Sequence, residues 1–433
     1  MKLSDIKKVH FIGIGGIGMS ALARLCHHEG KEVTGTNDIP SPQTLDALRE
    51  MGISISLDTS VLPEADVYVY SEAWHNLNPA LLKKAFDSRI PTINYFDALG
   101  MVANEYYLIA VAGSHGKTTT TAMIIDILES AGFDPSGIVG SLRASTKSNY
   151  RAGKSKYFVV EACEYKRDFL SLTPDVLVIT NIEHEHVDYY KDLTAVQEAF
   201  REFAQQVREG GVVILNFGGE NMAPILEGLT VSIVDYGKYF DPLMKLKVPG
   251  VHNQLNASAA LAVAERVGIT HNMAKDALTQ FAGTWRRFEY KGEVNGAKVY
   301  DDYGHHPTEI TATIRGAREL YPDRKLTLVF QSHTYTRTNE LFDNFVDALG
   351  LADMTYILPI YAAREENISG ISHTKLADAV IEKGRPALAL QTFDDVVARI
   401  TASATEKDLI LVMGAGDVTQ VADMLTKREN TVI

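Results

Sequence analysis

Residues 106–120, YYLIAVAGSHGKTTT, join a strongly apolar run to a turn rich in glycine and threonine. The apolar run is typical of a buried β-strand, and a helical pattern follows the turn. Glycines at such a turn let backbone N–H groups converge on phosphate oxygens, and the N-terminus of the following helix adds its dipole. The combination predicts a phosphate-binding loop in a parallel α/β sheet.

The loop departs from the standard P-loop, which needs a glycine at position 111, where this chain has Val111. What remains is the shorter pattern G-x-x-G-K-T, from Gly113 to Thr118. Lys117 is expected to reach the outer phosphates as a point charge, and Thr118 to bind Mg²⁺ through its hydroxyl. The alternative is an ordinary strand-to-helix turn that contains Gly-Lys, which the flanking strand and helix make the weaker interpretation.

A second glycine-rich turn, GIGGIG at residues 13–18, also follows a strand pattern and precedes a helical one. Its G-x-G-x-x-G spacing allows a tight turn and a close approach of the backbone to a pyrophosphate. Asp38, 20 residues after Gly18, suits a ribose hydroxyl. These features favour a nucleotide-binding unit, and the turn fits both a dinucleotide and another pyrophosphate.

Strand patterns alternate with helical patterns along the whole chain, which favours parallel sheets with helical crossovers. We predict three domains: residues 1–105 with the first turn, residues 106–290 with the phosphate loop, and residues 291–433. The predicted fold class is therefore α/β. The N-terminal domain is expected to be Rossmann-like, the central one a parallel sheet of the P-loop ATPase type, and the C-terminal one again Rossmann-like.

Composition limits the classes of function. The 433 residues carry a formal net charge of −13 and include two cysteines. An acidic chain disfavours non-specific binding to nucleic acids or anionic membranes, and two cysteines are too few for a disulfide framework. Because no apolar run reaches the about 18–20 residues that span a bilayer, we expect a cytoplasmic protein without membrane insertion. The sequence does not distinguish a monomer from a homodimer.

Acidic and histidine residues follow two strand patterns of the central domain, at Glu161 and Glu164 and again from Glu183 to Asp188. The carboxyl ends of parallel strands border the ligand crevice of an open α/β sheet. Mg²⁺ prefers oxygen ligands, whereas a histidine ligand is more usual for Zn²⁺ or Mn²⁺. The pattern predicts a metal site, with a solvated acidic loop as the alternative.

Four further motifs are HNQLN (252–256), WRRF (285–288), DDYGHHP (301–307) and FQSHTYTRT (330–338). With the two glycine-rich turns and TNIEHEHVD (180–188), this ordered set resembles the Mur ligase family over nearly the whole chain. The resemblance implies successive domains for the UDP part of a sugar nucleotide, for ATP and for an amino acid. It implies that the first turn binds a UDP pyrophosphate. The expected reaction joins L-alanine to the lactoyl carboxylate of UDP-N-acetylmuramate through an acyl phosphate, in peptidoglycan synthesis.

The resemblance also implies roles for individual residues. ATP is expected to be bound by Gly113, Ser114, His115, Gly116, Lys117, Thr118, Thr119, Asn253, Asn256, Arg287 and Asp302. Mg²⁺, with Mn²⁺ as the alternative metal, is expected at Thr118 and Glu161, and a second metal ion is expected at His186. The UDP-sugar and the amino acid are expected at Gly15, Gly16, Gly18, Met19, Ser20, Asp38, Ser71, His305, His306 and Arg337. The expected catalytic residues are Lys117, Arg287, His305 and His306, where either histidine serves as the base for the amine or only positions substrate.

This chain departs from the family pattern at Cys163, where a carboxylate is usual, and at Thr334, where an arginine is usual. Because Thr334 lies on the acceptor side, the nearest alternative is a ligase that adds another amino acid or a recycled tripeptide. A binding protein without catalysis is a second alternative, against which four intact residues argue: Lys117, Thr118, Glu161 and His186. A nicotinamide-dependent oxidoreductase is a third, and it leaves the phosphate loop without a purpose.

Overall fold

The computed structural model describes residues 5–38, 42–186, 189–363, 365–367 and 370–427. The chain divides into two compact units, Met1–Lys245 with Gln254–Ala282, and Leu246–Asn253 with Gly283–Ile433. The described residues form three mostly parallel sheets with helical crossovers, which confirms the α/β class. Within the described part of the chain, no helix is both long and apolar enough to cross a membrane.

The first sheet has the order β3-β2-β1-β4-β5, and all neighbouring strands run parallel. Its strands are β1 (Lys8–Ile12), β2 (Glu32–Thr36), β3 (Ser54–Ser56), β4 (Val67–Tyr70) and β5 (Thr92–Asn94). Its helices are α1 (Ile17–His28), α2 (Pro42–Glu50), α3 (Trp74–Leu77), α4 (Pro79–Asp87) and α5 (Tyr95–Ala103). The strand order reverses between β1 and β4, which places the first glycine-rich turn at the crevice where ligands bind such sheets.

The second sheet has the order β12-β11-β10-β6-β9-β7-β8, with β7 and β8 antiparallel. Its strands are β6 (Tyr107–Ala112), β7 (Ser136–Arg143), β8 (Ser148–Arg151), β9 (Tyr157–Glu161), β10 (Val176–Ile179), β11 (Val212–Leu215) and β12 (Ser232–Asp235). The helices in this region are α6 (Lys117–Ser130), α7 (Leu193–Gln205), α8 (Val251–Arg266) and α9 (His271–Gln280). The apolar strands β6, β10 and β11 are almost wholly buried, as expected for a parallel sheet covered on both faces.

The third sheet, in the second unit, has the order β13-β14-β18-β15-β16-β17, with β13 and β14 antiparallel. Its strands are β13 (Glu289–Val294), β14 (Ala297–Asp302), β15 (Lys325–His333), β16 (Met354–Tyr361), β17 (Ala387–Ala389) and β18 (Asp408–Met413). Its helices are α10 (Pro307–Leu320), α11 (Tyr335–Glu340), α12 (Phe342–Leu349), α13 (His373–Glu382), α14 (Phe393–Ser403) and α15 (Thr419–Lys427). Helix α10 begins at the proline after DDYGHH, because proline suits the first helical position.

His10 on β1 is a buried histidine whose Nδ1 lies 2.8 Å from the hydroxyl of Thr34. Burial lowers the pKa of His10 to about 4, from an ordinary value near 6.5. The unfolded chain therefore binds this proton as the pH falls through 6.5, whereas the folded chain binds it only near pH 4. We expect folding stability to fall across that window, by up to about 3 kcal/mol.

The measurement is urea unfolding of the wild type and of His10→Gln at pH 7.0 and pH 4.5. The difference in unfolding free energy between the two proteins should shrink at pH 4.5, since only the wild type carries this histidine. A difference that is the same at both pH values would contradict a neutral, buried His10.

Candidate functional site

The first glycine-rich turn links β1 to α1 and uses several of its own amides for internal hydrogen bonds. The N–H groups of Gly13 and Ile14 donate to Thr36 O at 2.8 and 3.1 Å, and that of Gly15 donates to Asn37 Oδ1 at 3.0 Å. These bonds hold the turn in shape. A ligand at this turn is therefore met chiefly by the exposed N–H groups of the first turn of α1.

Helix α1 begins after Gly16, which provides no side-chain cap. The Met19 and Ser20 side chains are both buried, and the Ser20 N–H donates to Gly16 O at 2.8 Å. Asp38 is exposed, and Ser71 follows β4 with its N–H donating to Ile12 O at 3.1 Å. The expected UDP-sugar residues thus border one turn, but two of them direct their side chains into the core.

The phosphate loop between β6 and α6 depends on two glycines in left-handed backbone conformations. Gly113 has φ +135° and Gly116 has φ +82°. The Thr180 hydroxyl and the Asn256 amide oxygen occupy the places where Cβ atoms on these glycines would lie. Any larger residue at either position would be both strained and obstructed.

The end of β10 supports the phosphate loop. Asn181 accepts the His115 N–H through Oδ1 at 2.8 Å, and its Nδ2 donates to His115 O at 2.9 Å. The Thr180 hydroxyl also donates to His115 O at 2.6 Å, and the Glu183 N–H donates to the Ser114 hydroxyl at 2.8 Å. The TNIE segment therefore shapes the loop from a neighbouring strand.

Lys117 lies at the start of α6, and its ammonium group is held by protein oxygens. Nζ donates to the carbonyls of Gly113 and Ser114 and lies 2.9–3.0 Å from both carboxylate oxygens of Glu164. Burial disfavours charge on Lys117, but Glu164, then Cys163 and Glu161, outweigh burial and raise its pKa above the usual range. Lys117 is therefore a fixed cation beside the loop.

Thr118 and Glu161 lie together, as expected for a shared metal site. The Thr118 hydroxyl donates to Glu161 Oε2 at 2.9 Å, and the Gly140 N–H donates to the same oxygen at 2.9 Å. Glu161 ends β9, directly beside β6 and its loop. A hydroxyl and a carboxylate at the phosphate loop form the oxygen-rich donor set that Mg²⁺ prefers.

His186, which is expected to hold a second metal ion, belongs to a separate cluster. Its Nε2 lies 3.3 Å from Glu164 Oε1, and one ligand atom from each of Glu164, Glu185 and His186 fits within 4.8 Å of the others. Among the described residues, His186 forms no hydrogen bond or ion pair with Thr118 or Glu161. Asp188, which the sequence also associates with this site, lies outside the described residues.

Cys163, where the family pattern has a carboxylate, is a free thiol. Burial, with the nearby Glu164 carboxylate, raises the pKa of Cys163 to about 12. The thiol is therefore neutral at physiological pH. One negative charge fewer lies beside Lys117 than the family pattern would place there.

In the second unit, the adjacent arginines have different surroundings. Arg286 is 3% exposed, and its Nε donates to Asp301 Oδ2 at 3.0 Å while both Nη groups donate to carbonyls at 414 and 416. Arg287 is partly exposed, with Nη1 3.5 Å from Glu309 Oε1 and its guanidinium 5.3 Å from the ring centre of Tyr303. Arg286 is thus a structural group, and Arg287 is accessible to a ligand.

Asp302 ends β14 and holds the surrounding backbone. Its Oδ2 accepts the Phe288 N–H at 2.8 Å, and its Oδ1 accepts the Gly304 N–H at 2.7 Å. Burial raises the pKa of Asp302 to about 6, although the Arg287 charge opposes this shift. The carboxylate expected at the ATP ribose therefore also positions the segment that carries Arg287.

The two histidines of DDYGHHP differ in their surroundings. His306 is the N-cap of α10 and forms a capping box with Glu309. His305 Nδ1 lies 3.1 Å from Tyr303 O, so Nδ1 carries the proton and Nε2 is the free acceptor. Burial lowers the pKa of His305 to about 3, which makes it a much weaker base than an unperturbed histidine.

Arg337 on α11 donates from Nη1 to His333 O at 2.8 Å. Thr334, which replaces the usual arginine, donates its hydroxyl to Glu365 Oε1 at 2.6 Å. Glu365 Oε2 also accepts the Thr336 N–H at 2.8 Å. The carboxylate of Glu365 therefore organises this segment, and no sequence motif had singled it out.

The expected asparagines lie in different units, since Asn253 ends one segment of the second unit and Asn256 belongs to the first. Asn253 Nδ2 donates to Pro249 O at 2.8 Å.

Asn37 and Asn181, which shape the two ligand turns, were missed by sequence reasoning. Asn37 directly follows β2 and Asn181 comes two residues after the end of β10, and this position near a strand end was the signal that could have identified them.

Three family models match successive parts of the chain. They are described as Mur ligase family, catalytic domain (residues 8–107), Mur ligase middle domain (residues 111–241) and Mur ligase, glutamate ligase domain (residues 286–416). Relatives named UDP-N-acetylmuramate–L-alanine ligase are 40% identical in Agathobacter rectalis and 38% in Caldanaerobacter subterraneus. These matches cover 97% of this chain and 98% and 97% of the relatives.

Solved structures agree with these matches. The UDP-N-acetylmuramate–alanine ligase of Thermotoga maritima superposes with a TM-score of 0.82 at 27% identity, covering 98% of this chain and 99% of that one. A murein peptide ligase from Psychrobacter arcticus superposes with a TM-score of 0.70 at 25% identity, covering 99% of each chain. On the identity shared with its relatives over the full length, the chain belongs to the Mur ligase family.

Proposed function

We propose that this protein joins L-alanine to the lactoyl carboxylate of UDP-N-acetylmuramate and converts ATP to ADP and phosphate. The 40% identity to a UDP-N-acetylmuramate–L-alanine ligase over 97% of the chain carries the proposal. The phosphate loop with Lys117, and the Thr118–Glu161 pair beside it, supply the groups that such a reaction needs. The product belongs to peptidoglycan precursor synthesis, and we assign the reaction to the cytoplasm.

Each of the three domains is proposed to bind a different substrate. We assign the UDP-sugar to residues 1–105, ATP to residues 106–290, and the amino acid with closure over ATP to residues 291–433. The first turn suits a pyrophosphate, because no side chain caps the N-terminus of α1 and competes with the phosphates for its N–H groups.

The first step is the attack of the lactoyl carboxylate on the γ-phosphate, which forms an acyl phosphate and releases ADP. Both reactants are anions, so the step requires compensating positive charge in the transition state. Lys117 supplies it in the first unit, and Arg287 is proposed to contact the transferred phosphoryl group. Thr118 and Glu161 would hold Mg²⁺, which supplies further charge neutralisation at the phosphates, and His186 is proposed to hold a second ion.

The second step is the attack of the L-alanine amine on the acyl phosphate, through a tetrahedral intermediate that expels phosphate. With a pKa of about 3, His305 is poorly suited to remove the proton of the amine. We therefore assign His305 a positioning role, in which Nε2 accepts a hydrogen bond from the amine. His306 stabilises the start of α10, and Arg337 is proposed to bind a substrate carboxylate.

Glu161→Gln is expected to weaken Mg²⁺ binding, and so the Mg²⁺-dependent release of phosphate, while leaving the fold intact. The glutamine oxygen can still accept from Thr118 and Gly140, but the substitution removes the negative charge that binds the metal. The Mg²⁺ concentration for half-maximal phosphate release should rise by about 10-fold and kcat should fall by about 100-fold. Glu202→Gln, at an exposed position on α7, is the matched control, and an unchanged Mg²⁺ titration in Glu161→Gln would count against the metal role.

The function is tested by phosphate release from ATP with Mg²⁺ and UDP-N-acetylmuramate, supplying each standard amino acid and the recycling tripeptide in turn. Release that depends on L-alanine, with a product of the matching mass, is the expected result. If only the tripeptide or another amino acid supported phosphate release, that compound and not L-alanine would be the acceptor. The threonine at position 334, where the family usually has an arginine, makes this the nearest alternative. Absence of release with every acceptor, in protein that binds UDP-N-acetylmuramate, would overturn the ligase activity.

A further inference from the structure

Tyr95 lies against the first glycine-rich turn and interacts electrostatically with Glu161, which ends β9 beside the phosphate loop. Tyr95 is the first residue of α5, directly after β5, and the Asn94 side chain caps this helix by accepting the Asp97 N–H at 2.8 Å. A Cβ atom on Gly18 would lie 2.7 Å from both Cζ and Oη of Tyr95. The Tyr95 hydroxyl therefore lies against the first turn of α1.

This contact explains the glycine at position 18. The backbone of Gly18 is not in the left-handed region, so position 18 does not need a glycine for its conformational freedom. The reason is space, because any side chain there would displace the tip of the Tyr95 ring. Gly18 and Tyr95 together bring a hydroxyl to the helix N-terminus that is expected to face the pyrophosphate.

The Tyr95 hydroxyl is also within electrostatic range of two residues near the phosphate loop. The hydroxyl interacts electrostatically with Glu161, which accepts the Thr118 hydroxyl, and with Cys163. Burial, with these two groups, raises the pKa of Tyr95 well above its usual range, so the hydroxyl keeps its proton at physiological pH. In the described part of the chain this hydroxyl has no hydrogen-bond partner, which leaves its proton available to a ligand.

A nucleotide sugar that reacts at the phosphate loop must extend from the first turn toward Glu161. Its pyrophosphate belongs at the N-terminus of α1, and its carboxylate must reach the γ-phosphate of ATP. The group between these two ends is the N-acetylmuramyl sugar with its lactoyl arm. The Tyr95 hydroxyl lies against the turn at Gly18 and interacts electrostatically with Glu161, so it suits contact with a group that extends from one site to the other.

We propose that the Tyr95 hydroxyl donates a hydrogen bond to the N-acetylmuramyl group of the bound nucleotide sugar and so positions its carboxylate. This inference rests on the proposed function and deepens it, because it names a residue that distinguishes the complete substrate from UDP alone. Tyr95 acts as a positioning residue for the acceptor substrate.

The test is calorimetric binding of UDP-N-acetylmuramate and of UDP to wild type and Tyr95→Phe, without ATP. The substitution keeps the ring against Gly18 and removes only the donor. The Kd for UDP-N-acetylmuramate should rise by about 10-fold, the loss of one hydrogen bond to a charged or polar group, while the Kd for UDP stays unchanged. In turnover, KM for UDP-N-acetylmuramate should rise and kcat should also fall, since the carboxylate is held less well.

Tyr68→Phe is the matched control. Tyr68 lies on β4 of the first sheet, and its hydroxyl donates to Pro63 O at 2.9 Å, so the variant removes a tyrosine hydroxyl that already has a protein partner. It should leave both Kd values unchanged. Gly18→Ala is a second variant that displaces the Tyr95 ring, so it should raise the Kd for UDP-N-acetylmuramate. Adding Tyr95→Phe to Gly18→Ala should then cause little further loss, because the hydroxyl is already displaced.

An unchanged Kd for UDP-N-acetylmuramate in Tyr95→Phe would overturn the proposal. An equal rise for UDP would place the hydroxyl on the pyrophosphate and would also overturn the assignment to the muramyl group. A failure of the proposed function is distinguishable, since the wild type itself would then fail to bind UDP-N-acetylmuramate or to join it to any amine.

Discussion

Lys117→Ala is expected to lower kcat by about 1,000-fold or more, because it removes the fixed cation that offsets repulsion between the carboxylate and the triphosphate. It should also destabilise the fold. Glu164 is 2% exposed, and Lys117 and His186 hold its pKa below the usual range despite burial. Without Lys117 this buried carboxylate loses its main partner, at a cost of about 3 kcal/mol.

The two effects are separated by the double variant Lys117→Ala/Glu164→Gln. Neutralising Glu164 should restore most of the lost unfolding free energy, measured by urea denaturation, and should restore none of the phosphate release. If activity returned together with stability, Lys117 would be a structural partner of Glu164 rather than a phosphate-binding residue.

Arg286→Ala and Arg287→Ala are expected to have large effects of different kinds, although the residues are adjacent. Arg286→Ala leaves Asp301, which is 0% exposed, without its cation, so the second unit should lose about 3–5 kcal/mol of stability. Arg287→Ala removes a partly exposed guanidinium and should lower kcat by about 100-fold or more, at a nearly unchanged Tm.

Differential scanning calorimetry and phosphate release distinguish the two variants. Arg286→Met/Asp301→Asn is the control for the buried pair, since it removes both charges and should recover much of the stability lost in Arg286→Ala. A large loss of Tm in Arg287→Ala, or a stable but inactive Arg286→Ala, would reverse the two assignments.

Much of the secondary structure could be predicted from local patterns. The apolar run ending at Gly113 predicts a strand that the structure has as β6 at Tyr107–Ala112, and the helical pattern after the turn coincides with α6 at Lys117–Ser130. Such patterns are reliable because buried parallel strands need continuous apolar residues. The β7–β8 pair was not predicted, since SGIVGSLR and SNYR have neither a continuous apolar run nor a strict alternation.

The candidate site was predictable where its residues are close to a motif. Thr118 and Glu161 follow neighbouring strands of one parallel sheet, and the structure joins them at 2.9 Å. The resemblance gave His186 a second metal ion, and the structure places its ring beside Glu164. Lys117 shares that carboxylate, and only the folded arrangement of β9 and the loops around it brings these side chains together.

The sequence by itself determined the α/β class and the two glycine-rich turns, and it predicted the lysine that is proposed to bind phosphate. These features depend on local order along the chain, where hydrophobic patterns and glycines specify strands and turns. Tertiary structure alone decided which of the two arginines is buried, how weak a base His305 is and why Gly18 must lack a side chain. Burial, ion pairing and steric contact arise between residues far apart in sequence, so no local pattern contains them.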